Sequence, residues 1–181
     1  MKDNPLSNAL DALDSVLAQQ KLKLDILICG AFALQILGFD RGVHTLDVDT
    51  VMKIDDPKVL NLIAEIGKQY GLSSNWLNDQ AASVTTPEDI FERAKKLDQW
   101  SSINAFVIDR VDLIKMKTSA FSIRREETSK DWDDLKLLSP TKQEIEAAIG
   151  FLRKFNAPPK NASKADIDNY KETIHDLRNL V

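Results

Sequence analysis

An apolar run that stops at a glycine, Leu24-Asp25-Ile26-Leu27-Ile28-Cys29-Gly30, limits this chain more than any other feature. Such a short run, bounded by Gly, reads as a buried strand over 24–29 that turns into a helix over 31–38. A second strand is expected over 45–54, where Asp47 and Asp49 alternate with apolar residues. Side chains at i and i+2 share one face of a strand. Asp47 and Asp49 should therefore lie side by side, with Leu46 and Val48 turned into a core. Two neighbouring carboxylates repel unless a cation lies between them. Hard oxygen ligands of this kind suit Mg²⁺ (or Mn²⁺), which one or two carboxylates hold together with substrate phosphates. Upstream, the helix that opens at Gly30 would point backbone N–H groups at an anion, and a glycine lets a phosphate come close. Arg41 and Thr45 lie between the two halves. An isolated Asp-x-Asp is an ordinary solvated strand face; its position after Gly30 is what points to a metal–phosphate site and to phosphoryl or nucleotidyl transfer.

The remaining periodicities predict mostly helix. Leu6, Leu10, Leu13, Val16 and Leu17 recur at helical spacing over 6–20. Pro57 opens a helix that runs to about Tyr70 and closes at Gly71. Residues 74–80 read as a loop, 87–95 as a short helix, and 103–108 as a strand. Helices follow over 111–124 and 130–138. Thr141 and Glu144 form a capping box for another, and Ile167, Tyr170, Ile174 and Leu177 line a last one that could fold back or bind a partner. This β-α-β-α order predicts an α/β or α+β sheet with helices packed on it.

The chain has 181 residues, enough for one good core, with 43% apolar and 29% charged residues and a net charge of −4. No global basic field recruits nucleic acid or membrane. Cys29 is the only cysteine, so no internal disulfide is expected, and a cytoplasmic location is the simplest reading. In its apolar strand Cys29 reads as a small buried hydrophobe. The start, Met1-Lys2-Asp3-Asn4-Pro5, does not read as a signal peptide, and the run 26–34 is too short to span a membrane.

A second constellation lies downstream. Helical periodicity puts Leu113, Lys117, Ala120 and Arg124 on one face, so Lys117 interrupts an apolar stripe while Lys115 points to solvent. An inward lysine either snorkels or meets an anion. Asp131, Asp134, Leu135 and Leu138 share a face of the next helix, where surface decoration and helix-terminus bias are equally good explanations. His44 beside the Asp-x-Asp reads as a strand-edge histidine, and His175 as solvent-facing.

Taken together, Gly30-Ala31, the run Arg41-Gly42-Val43-His44-Thr45-Leu46-Asp47-Val48-Asp49, Lys117, and Lys130-Asp131 to Asp134 resemble the nucleotidyltransferase (DNA polymerase β-like) fold. The nearer likeness is to its small bacterial branch, the AbiEii-type toxins and related proteins, and covers roughly 24–139. Trp76-Leu77-Asn78-Asp79 also resembles a stretch that recurs in that branch. The resemblance implies a mixed sheet flanked by helices, with 1–139 as the core and 140–181 as a C-terminal helical extension. It implies that Asp47 and Asp49 hold the metal, and that Gly30, Ala31, Arg41, Thr45 and Lys117 bind the nucleotide. Asp131 would orient Lys117 or act as general base. The implied activity moves a nucleoside monophosphate from an NTP to an RNA end, such as that of tRNA, or to a protein hydroxyl. The chain would then be the toxin of a toxin–antitoxin pair with a cognate antitoxin. Ala31 stands where the family has Ser or Gly, and a third carboxylate on a later strand is absent, Asn104 and Asp109 being nearest to its place. These departures keep open a catalytically degenerate member that binds nucleotide or a partner protein. A metal-dependent phosphoesterase shares the Asp-x-Asp chemistry but wants more His or carboxylate ligands.

Overall fold

Leu24–Cys29 forms β1, the central strand of the computed structural model, which describes residues 4–42, 45–124 and 130–181. Four of its six residues in succession, Ile26 to Cys29, are buried, as the unbroken apolar run requires. On one side β1 pairs in parallel with β5 (Ile103–Val107), Ile28 opposite Val107. On the other it pairs antiparallel with β2 (Val48–Thr50), Cys29 opposite Asp49. A two-residue β3 (Leu77–Asn78) lies parallel to β2, and β4 (Lys95–Leu97) runs antiparallel to β5. The result is a five-stranded mixed sheet in the order β3-β2-β1-β5-β4 among the described residues, and an α/β chain, as the element order predicted.

The chain divides into two compact units, Met1–Asp109 and Arg110–Val181. The division falls at the end of the sheet, ahead of the boundary expected at 139. It groups the helices of the second constellation with the C-terminal helices.

The first unit carries the sheet. Its α1 (Pro5–Gln20) starts at Asn4, whose side chain accepts from Leu6 N, and buries Leu6, Ala9, Leu10, Leu13 and Leu17. This helix packs against α3 (Pro57–Gln69), which buries Val59, Leu62, Ile63 and Ile66. Between them in sequence, α2 (Gly30–Ile36) follows β1 directly. The second unit is helical: α5 (Arg110–Arg124) packs on α6 (Lys130–Leu138) and α7 (Lys142–Phe155), and α8 (Lys164–Asn179) packs back on α7. Both of its capping boxes, Thr141 with Glu144 and Ser163 with Asp166, are formed. No helix among the described residues is long and apolar enough to cross a membrane.

Several expectations need correction. The strand expected over 45–54 is only Val48–Thr50: ahead of it β1 has already ended at Cys29, and after it Leu27 N is bonded to the Thr50 hydroxyl. Leu46 accordingly has no core to enter and is 63% exposed. The expected loop 74–80 contains β3, held by Trp76, whose indole Nε1 donates to Ile63 O at 2.8 Å. Over 87–95 only Ile90–Arg93 is helical (α4), and Lys95 begins β4. His44 lies outside the described residues.

Candidate functional site

At the C-terminal end of β1, Gly30 adopts φ +66°, a left-handed conformation that lets the strand turn at once into α2. Antiparallel pairing brings Asp49 opposite Cys29, and the Asp49 carboxylate lies over Gly30. A β-carbon at position 30 would be 3.2 Å from Asp49 Cγ and closer still to its Oδ2, inside any allowed contact. The turn favours glycine here, and a β-carbon would displace the Asp49 carboxylate. The other oxygen, Oδ1, accepts from Asn78 Nδ2 at 3.2 Å across β2 and β3, and the Cys29 thiol donates to Asp49 O at 3.5 Å. Cys29 is 1% exposed, the buried hydrophobe its strand implied.

Asp47 lies one residue before β2, exposed, and accepts from the Thr45 hydroxyl. Arg41 is half-buried, beside a turn in which Asp40 Oδ1 accepts from Gly42 N at 2.8 Å. Ala31 is the second residue of α2 and supplies no side-chain donor. The two residues weighed as a third carboxylate separate cleanly. Asn104 pairs with Asp25 at the opposite end of β1 and donates to it at 2.9 Å. Asp109 follows β5 at the same end as Gly30, where Arg93 Nε approaches it to 3.8 Å.

Asp47 and Asp49 offer carboxylate oxygens, the ligand type of a hard divalent cation, two residues apart in sequence. Among the described residues no group of three or more His, Cys, Asp and Glu side chains gathers around a point that could hold a metal. A cation here would complete its shell with phosphate or water oxygens. Asn78 and Asp79 were absent from the sequence-derived site. Asp79 Oδ2 accepts from Ile54 N at 2.9 Å and ties the chain after β2 to the chain after β3. The signal was the apolar pair Trp76-Leu77 directly ahead of Asn78, a buried strand start inside an apparent loop.

In the second unit, Lys117 does face inward. Its side chain is 12% exposed and its Nζ lies 3.0 Å from Asp131 Oδ1 and 2.7 Å from Asp134 Oδ2. Arg124 donates to Asp131 Oδ2 at 2.7 Å, so both oxygens of Asp131 are held by cations. The shared face of α6, Asp131, Asp134, Leu135 and Leu138, is buried, so surface decoration does not describe its carboxylates. Lys115 does not point to solvent: its side chain is 18% exposed and pairs at 2.9 Å with Asp112, which is fully buried. Compared with models of protein families, with curated proteins and with solved structures, the chain matches none.

Proposed function

We propose that the Met1–Asp109 unit binds a nucleoside triphosphate with Mg²⁺ at the end of the sheet marked by Gly30, Asp47 and Asp49. From it the protein transfers a nucleoside monophosphate to a hydroxyl on an RNA end or a protein. The observation that carries this reading is the approach of the Asp49 carboxylate to Gly30, where an apolar strand turns into a helix. Asp47 and Asp49 would hold the cation, with Thr45 orienting Asp47 and Arg41 adding positive charge toward the phosphates. With Ala31 in place of a hydroxyl residue, the backbone N–H groups after Gly30 act alone. Mg²⁺ held by Asp47 and Asp49 would supply positive charge against the phosphates. In the transfer the acceptor oxygen bonds to the α-phosphorus, the bond to the bridging oxygen of the β-phosphate breaks, and pyrophosphate leaves. The acceptor proton passes to water.

Thermal unfolding with each of the four NTPs, with and without Mg²⁺, tests this on wild type and Asp47→Ala. A ligand present at 100 times its dissociation constant should stabilise the protein by about 2.7 kcal/mol. The shift should require Mg²⁺ and vanish in Asp47→Ala. Without ligand, that variant should unfold within about 0.5 kcal/mol of wild type, because Asp47 is exposed. No shift with any NTP overturns the reading. Ala31 supports a second one, a nucleotide-binding protein without transfer, marked by a Mg²⁺-dependent shift and no pyrophosphate release with any acceptor.

A further inference from the structure

We draw no further inference here: the strongest candidate, the groove of the second unit between the C-terminal ends of α5 and α7 and the first half of α8, lined by Ile123, Asn156, Pro158, Pro159 and Tyr170, has only exposed or half-buried side chains around it, and nothing in the structure shows what covers it.

Discussion

The carboxylates of the two units are held in opposite ways. In Arg110–Val181, Asp131 and Asp134 are 3% and 1% exposed, and the cations of Lys117 and Arg124 lie against them. In Met1–Asp109, Asp47 is exposed and Asp49 half-buried, and their partners include neutral donors, the Thr45 hydroxyl and the Asn78 amide. Removing a charge from water is costly unless a counter-charge is fixed nearby, so the buried set has to be assembled by folding itself. The solvated set keeps much of its hydration. Burial and partner type, more than residue type or spacing, separate carboxylates that hold a fold from carboxylates that can hold a ligand.

The largest test of that contrast is Lys117→Met. It keeps the length of the side chain and leaves buried carboxylates short of a counter-charge, so it should destabilise the helical unit by about 3–5 kcal/mol. Urea unfolding followed by Trp132 fluorescence reads it directly, because Trp132 stacks on Phe121 across α5 and α6 with ring centroids 4.9 Å apart. Adding Asp134→Asn to the same chain should recover part of the loss. A change below about 1 kcal/mol, the scale of an exposed ion pair, would remove the distinction between the two sets.

A smaller effect is expected at Gly30, and it divides into two parts. Gly30→Ala places an L-residue at φ +66°, which costs about 1–2 kcal/mol, and pushes a β-carbon into Asp49. Gly71→Ala is the control: φ is +68° and nothing lies within 4 Å of a β-carbon there, so only the backbone cost applies. Circular dichroism melts should show Gly30→Ala losing more than Gly71→Ala, and only Gly30→Ala should lose Mn²⁺ binding. Equal losses in the two variants, with binding intact, would show that Asp49 gives way at no cost.

Much of this was legible from local pattern. The buried run Ile26 to Cys29, the stop at Gly30, the α1 stripe and the Thr141–Glu144 capping box are determined by neighbours in sequence, and the chain adopts them. That Lys117 lies in the apolar stripe was legible from helical periodicity; that it meets Asp131 and Asp134 there instead of snorkelling was not, because both come from the next helix. Features set by distant partners were not. The length of β2 depends on where β1 stops, the β3 strand on an indole that reaches Ile63, and the partner of Lys115 on the depth of Asp112. The pairing of Asp49 with Asn78 depends on a register between strands far apart in sequence, which neither segment encodes alone.

The smallest effect concerns two further carboxylates, one in each unit, both bonded to backbone N–H groups. Burial pushes the Asp14 carboxyl up, but the N–H groups of Ser102, Ile103 and Ser101 and the Ser101 hydroxyl outweigh it and hold it below the usual aspartate range. Burial likewise raises Glu144, and the Thr141 N–H and hydroxyl together with Arg110 bring it lower. A carboxyl that is more acidic folded than unfolded stabilises the fold above its unfolded pKa, about 3.9 for aspartate, and loses that contribution as pH falls through the folded value. Asp14 ties α1 to the start of β5, whereas Glu144 caps its own helix and binds Arg110. Asp14→Asn keeps an acceptor and removes the charge, so it should cost about 1 kcal/mol at pH 7. As pH falls through the folded value, which lies below the ordinary aspartate one, the wild-type carboxyl is itself protonated, and the difference between the two proteins should close. Thermal melts of both from pH 7 down to pH 3 read this as converging curves. A gap that does not narrow across this range would assign the loss to the geometry of the amide, and the charge of Asp14 would then have no part in holding α1 to the sheet.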